Sequence, residues 1–355
     1  MIAIRRVIVP LLFAPLAFEG TVRLDDWVRF GVPFSSGATN VMDLRVDDAQ
    51  GRHARPSAAY RKFRINSLGF RGPEVSTEEL ASRPLVVVSG ASESFGLYES
   101  VGREWPRQLA DSLALRCAAP PPTVLNAALA GMSLPTVLQD VERRVLPLGP
   151  ELVVYYPQPA QYLFEKVPQA ARIDRESAPL SPWRLRSYAR LREEFKGMVP
   201  AALLDYNRRR QTAQLRSGGE ELFPALPVPR LDSLDAHLRS LVGLVRRGGS
   251  EIALVIPRHR LSDTITVSEQ RWLRAWELIL PKATGALILA FTDSAEARIR
   301  MIAADSSVRL VDPPFPTGPE RILFFADPNH FTDRGAALMA SGASAVVGAL
   351  LECER

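Results

Sequence analysis

Val86-Val87-Val88-Ser89-Gly90-Ala91-Ser92-Glu93-Ser94-Phe95-Gly96 is the stretch that decides the fold of this 355-residue chain. Leu85 to Val88 is an apolar, mostly β-branched run, the pattern of a strand buried on both faces of a parallel sheet. Gly90 follows at once, and Ser92 stands two residues on. A strand that ends in Gly-x-Ser and turns sharply presents a hydroxyl at its C-terminal edge, where open α/β sheets bind their ligands. A serine there needs a base. The chain offers four histidines, His53, His237, His259 and His330. Only His330 follows a carboxylate by three residues, in Asp327-Pro328-Asn329-His330, and on a turn that spacing sets carboxylate and ring side by side.

Gly90-Ala91-Ser92, then Asn126 to Gly131, then Asp327-x-x-His330 resemble, in order and in wide spacing, the SGNH/GDSL hydrolase superfamily over roughly residues 60 to 350. Upstream, Ile65-Asn66-Ser67-Leu68-Gly69-Phe70-Arg71-Gly72 is similar to the segment before the first strand in many bacterial members. The resemblance implies a three-layer, flavodoxin-like α/β fold with a central, mostly parallel five-stranded sheet. It implies a triad in which Ser92 is the nucleophile, His330 the base and Asp327 the group that orients the ring and stabilises its charge. It also implies an oxyanion hole built from the N–H of Ser92, the N–H of Gly131 and an Asn side chain in the third block. That Asn is missing. Tyr155-Tyr156 is followed by Pro157-Gln158-Pro159-Ala160, and proline has neither an N–H nor a polar side chain. Gln158 or Gln161 is the amide left to donate.

Rivals for these roles are weaker. Ser89 lies inside the strand end, and Ser94 faces the following helix. His259, in Pro257-Arg258-His259 after a strand, reads as a substrate-binding residue lining the pocket. Arg71, in a Gly-rich turn before the catalytic strand, reads as a second substrate contact. His53 reads as solvated and His237 as surface.

Composition is that of a globular protein, 46% hydrophobic and 23% charged. The formal charge is +5, but Lys stands only at positions 62, 166, 196 and 282, so 40 of the 44 basic residues are Arg. That bias is read as the mark of a GC-rich genome. The arginines are dispersed and no aromatic stacking pattern accompanies them, so no nucleic-acid partner is expected. Cys117 and Cys353 make no disulfide framework and no metal site, and a single disulfide between them stays open. No metal and no cofactor are expected, because no Gly-rich phosphate loop and no ligand cluster occur.

Residues 1–18 carry Arg5-Arg6 before Val7 to Phe18, an apolar run broken by Pro10 and Pro15. This reads as an export signal or membrane-associated anchor, too short to span a bilayer. Residues 19–80 read as an irregular arm, with a turn at Asp47 to Gly51 and a weakly alternating strand from Tyr60 to Ile65. Residues 81–355 form the hydrolase domain. Within it, about 160–235 fits no βα rhythm and reads as a helical insertion, with a loop at Ser217-Gly218-Gly219. Strands are expected at Val124-Leu125, Glu151 to Tyr156, Glu251 to Ile256 and Val308 to Val311. Ala283 to Ala304 reads as strand or helix.

The expected function is a serine esterase or deacylase acting on an O-acyl group of a carbohydrate or cell-envelope substrate. The alternatives are an O-acyltransferase using the same triad and a catalytically degenerate glycan-binding module. The expected partner is a small-molecule or glycan ester, with membrane association through residues 1–18. The expected location is extracytoplasmic or membrane-associated on the periplasmic side, with a cytoplasmic alternative.

Overall fold

Five short apolar runs, each too short to bury itself alone, assemble into one sheet. A computed structural model describes residues 2–118, 120–164, 166–171, 176–217, 221–261 and 266–353. The chain begins with helix α1 (Ile2–Phe30) and two hairpins, β1 (Arg45–Asp48) with β2 (Gly51–Ala54) and β3 (Ala59–Tyr60) with β4 (Phe63–Arg64). Helix α2 (Thr77–Ser82) leads into β5 (Leu85–Ser89), α3 (Ser92–Phe95), α4 (Trp105–Arg116), β6 (Thr123–Asn126), α5 (Leu134–Asp140) and β7 (Leu152–Tyr155). Then come α6 (Arg186–Gly197), α7 (Ala201–Ser217), α8 (Val228–Arg247), β8 (Glu251–Val255), α9 (Val267–Ile279), α10 (Gly285–Asp305), β9 (Arg309–Val311) and α11 (Asp333–Leu350).

The sheet order is β6-β5-β7-β8-β9, every neighbour parallel. Counted within the sheet this is 2-1-3-4-5, the doubly wound order of flavodoxin-like folds. Strand alternation sends side chains to two separate cores. Val87, Val153 and Leu254 pack with Val137 of α5, Leu238 of α8 and Phe291 of α10. Val86, Val154 and Val255 face the other way, onto Leu109 of α4 and Met339 of α11. Each such side chain contributes about 1.5–3 kcal/mol by leaving water. Because both faces are covered, the strands read as continuous apolar runs rather than as alternating ones.

Several expectations change. Helix α1 does not stop at residue 18; it continues through Pro10 and Pro15 to Phe30. Among the described residues, no helix is long and apolar enough to cross a membrane. The arm is not irregular: it forms two hairpins, and its Phe63, Ile65 and Phe70 join the same core as Val87 and Phe95. Tyr60 to Ile65 is not one strand but a tight hairpin, turned at Arg61 with φ +47°. Gly285 to Asp305 is helix throughout, capped by the Thr284 hydroxyl on the Leu287 N–H at 3.3 Å. The 160–235 insertion holds α6, which packs on α1, and α7, which packs on α9. Gly218 and Gly219 of the expected loop lie outside the described residues. Cys117 and Cys353 form a disulfide, joining the end of α4 to the end of α11.

Candidate active site

Ser92 opens the four-residue helix α3 immediately after β5. It therefore lies beside the point where the sheet order reverses, between β5 and β7, the crevice where doubly wound folds bind ligands. The turn needs glycine at two places. A Cβ on Gly90 would meet the Ser94 hydroxyl at 3.0 Å and the Tyr156 carbonyl at 3.2 Å. Gly96 ends the helix in the left-handed region, φ +80°, and returns its N–H to the Ser92 carbonyl at 3.0 Å. Ser89 and Ser94 are buried, with hydroxyls unpartnered inside the fold, so neither competes with Ser92.

Arg71 is not a substrate contact. Its guanidinium is buried, donates to the Gly96 carbonyl at 2.7 Å and lies near Glu104 at 3.5 Å. The faces of Phe63 and Phe95 sandwich it at 4.9 and 4.7 Å. Its backbone N–H bonds the Asn126 carbonyl at 2.9 Å. Arg71 braces the turn that carries Ser92.

The Asp-Pro-Asn-His turn is closed by its own first side chain. Asp327 Oδ1 accepts the N–H of Asn329 at 3.0 Å and of His330 at 2.9 Å. A bridge between Phe325 and Phe331, with the Ala326 N–H on the His330 carbonyl at 2.8 Å, clamps the base of the turn. His330 Nδ1 then sits 2.8 and 2.7 Å from the two Asp327 oxygens. Burial alone would lower the His330 pKa. The bond to Asp327 and the charges of Glu93, Asp327 and Glu99 outweigh it, and the pKa is raised. Burial would raise the Asp327 pKa, but His330 and the two backbone N–H groups hold it below the ordinary carboxylate range. Tyr98 lays its ring 5.4 Å from the imidazole.

Ser92, Gly131, Gln158, Asn329 and His330 line one cavity of about 610 Å3. Within it, no hydrogen bond joins Ser92 to His330. The Ser92 hydroxyl donates to Glu93 Oε2 at 3.2 Å and accepts from Gln158 Nε2 at 3.3 Å. The Nε2 of His330 is buried and has no partner. Glu93 is 2% exposed, and its other oxygen accepts from the side-chain amides of Gln158 and Asn329. Three donors thus satisfy a buried carboxylate that would otherwise be costly. Glu93 and Asn329 were not singled out from the sequence. The available signals were a charge inside a turn of small residues and an amide inside the Asp-x-x-His motif.

Gly131, at φ +82°, also lines the cavity. Of the two candidate glutamines, Gln158 reaches Ser92. The Gln161 amide is committed to the Met132 carbonyl at 2.8 Å and to Gln158 Oε1. His259 does not line this cavity. It lines an adjoining space of about 20 Å3 together with Glu93, Gln158 and Asn329, with Trp276 at 6.0 Å between ring centres. Burial, with Arg321 and Arg258 nearby, pushes its pKa down to about 4, so the ring is neutral. His53 is buried against Asp48 at 3.0 Å, and His237 bonds the Tyr162 hydroxyl at 2.7 Å; neither is simply solvated. The cavity is also lined by Phe164, Lys166, Val167, Pro168 and Gln169 at the start of the insertion and by Trp276, Ile279 and Leu280 at the α9 end. Among the described residues, no three His, Cys, Asp or Glu side chains gather as metal ligands.

No family model and no curated protein matches this chain. Solved structures do. A lipase/acylhydrolase from Enterococcus faecalis is similar at 14% identity, over 76% of this chain and 97% of that one, with a TM-score of 0.43. A catalytic mutant of an acetylxylan esterase from Geobacillus stearothermophilus is similar at 12% identity, over 75% and 94%, with a TM-score of 0.44. A GDSL-like lipase from Bacteroides thetaiotaomicron is similar at 12% identity, over 79% and 92%, with a TM-score of 0.42. All three are described as lipases, acylhydrolases or esterases, and the Bacteroides protein as GDSL-like.

Proposed function

We propose that this protein is a serine esterase or deacylase of SGNH type, removing an O-acyl group from a carbohydrate or cell-envelope substrate. The observation that carries this reading is His330: Nδ1 held by both oxygens of Asp327, Nε2 buried without a partner, and the residue lining one cavity with Ser92. In the proposed reaction the Ser92 hydroxyl exchanges Glu93 for His330 Nε2 and attacks the ester carbonyl as His330 takes its proton. The charge on the carbonyl oxygen is met by the N–H groups of Ser92 and Gly131 and by the Gln158 amide. Collapse expels the alcohol, which leaves with the proton from His330, and an acyl group remains on Ser92. Water, deprotonated by the same ring, then releases the acid.

The extracytoplasmic assignment has its own support. A disulfide between Cys117 and Cys353 persists in oxidising compartments and is rare in the cytosol. Basic residues ahead of an apolar run at the N-terminus agree with export. Fractionation that finds the full-length chain in the cytosol with two free thiols refutes the assignment.

The test of the activity is intact-mass measurement after incubation with an activated short ester such as p-nitrophenyl acetate. One acetyl mass on wild type and none on Ser92→Ala is expected. Loss of that mass in water alone supports hydrolysis, and loss only with a sugar acceptor would make the protein an O-acyltransferase. A folded sample that shows neither adduct nor turnover with any short ester would leave the glycan-binding module.

A further inference from the structure

Helices α1 and α6 are paired inside out. The face of α1 turned to α6 carries Glu19 and Asp26, and the face of α6 turned to α1 carries Arg186 and Arg190. Arg186 meets Asp26 at 3.3 Å, and Arg190 meets Asp26 at 2.7 Å and Asp25 at 3.0 Å. Glu19 accepts the N–H groups of Ser187 and Arg186, at 2.8 and 3.2 Å, and the Arg23 guanidinium at 2.6 Å. Asp26 is 2% exposed and Arg186 3%. The large apolar side chains point the other way. On α1 these are Leu16, Leu24, Trp27 and Val28, the last 68% exposed. On α6 they are Tyr188, Leu191 and Phe195, spaced i, i+3, i+7 along one face, with Phe195 64% exposed.

A helix pair in water arranges itself the opposite way, apolar face inward and charges outward. Charges turned inward onto one another, held by hydrogen bonds, with apolar side chains outside, is the arrangement favoured where the surroundings are hydrocarbon. Val7 to Phe18 has no charged residue, and Arg5-Arg6 stands ahead of it. Twelve helical residues reach about 18 Å, enough to enter the apolar part of a bilayer and not to cross it. Trp27, Trp183 and Tyr188, all exposed, are the residue types that settle at headgroup level.

We propose that this α1–α6 face docks in the plane of a lipid bilayer, with the first half of α1 embedded and the α6 apolar stripe lying in the interface. Leu185 and Tyr188 also line a groove of about 820 Å3 together with Tyr98, whose ring lies against His330. Docking therefore sets the candidate active site beside the membrane surface.

The test is flotation of the purified full-length chain with vesicles of phosphatidylethanolamine and phosphatidylglycerol. Wild type is expected to float. The double substitution Leu191→Glu, Phe195→Glu, on exposed positions away from the site, is expected to lower partitioning about tenfold or more, since each large apolar side chain withdrawn from hydrocarbon is worth at least that. Its thermal unfolding, followed by circular dichroism, is expected to match wild type. Wild type that stays in the soluble fraction overturns the proposal, as does a variant that floats equally well. If light scattering without lipid shows a wild-type dimer and a variant monomer, the face joins two copies and the proposal is likewise overturned.

Discussion

Cys353→Ser should destabilise the protein without touching the candidate active site. The disulfide closes a loop of 236 residues between Cys117 and Cys353. In the chain-entropy picture, releasing a loop of that length gives the unfolded chain about 5.5 kcal/mol of extra freedom, while measured losses for native disulfides run at about 2–5 kcal/mol. Spread over the unfolding entropy of a 355-residue chain, about 0.75 kcal/mol/K, this lowers Tm by about 3–7 °C. The bond sits at the far end of α11 from His330, and 18 residues of helix separate the two by about 27 Å. Turnover at 25 °C per folded molecule should therefore be unchanged. Calorimetry of wild type with and without reductant, beside Cys353→Ser, measures the shift, and thiol titration under denaturing conditions counts free cysteines. A variant that melts within about 1 °C of oxidised wild type would refute the entropic reasoning. Two titratable thiols in protein taken from its native compartment would refute the bond itself.

Glu93→Gln removes one of the charges that raise the His330 pKa. The proposed base works only when neutral, so the rate falls as pH falls through that raised pKa. In the variant the acidic limb of kcat/KM should move to lower pH, and a limb that stays in place rules out an electrostatic role for Glu93. By the same sign, the His330–Asp327 pair contributes stability that is complete below the unfolded histidine pKa and lost as pH rises through the folded one. Asp327→Asn should flatten that part of a Tm–pH curve. Gln158→Ala should lower kcat about a hundredfold or more, the scale of a lost oxyanion donor, whereas Gln161→Ala should cost less because its amide is spent on Met132 and Gln158. Arg71→Met should lower stability by about 3–5 kcal/mol through an uncompensated Glu104, visible in urea unfolding, and equal loss of kcat in fully folded protein would return Arg71 to the site.

What was legible in the sequence was local. Leu85 to Val88 reads as a buried strand because both faces of β5 are covered, and the Asp327–His330 pairing reads from its spacing because a side-chain-closed turn brings i and i+3 together. What was not legible depends on residues distant in the chain. Arg71 between two glycines looks exposed, but Phe63 and Phe95 close over it, the second from another element. His259 follows a strand at the correct edge, yet it lines a small adjoining space rather than the cavity that Ser92 lines. Cys117 and Cys353 meet only because α4 and α11 pack on one another on the same side of the sheet.

Gln158, in the block where the resemblance implies an Asn, and Glu93, in the first block, are hydrogen-bond partners. Gln158 donates to both Ser92 and Glu93, so its amide links the proposed nucleophile to a buried acid. On the proposed mechanism that acid acts in two directions. It favours the imidazolium of His330 as the proton is transferred, and it disfavours a second negative charge growing on the ester oxygen. A shorter Asn side chain at position 158 would reach less far, leaving Glu93 with Asn329 and the Ser92 hydroxyl as its remaining donors. On the proposed mechanism, the length of Gln158 would therefore let one site hold a buried carboxylate next to Ser92 and still offer a donor to an oxyanion.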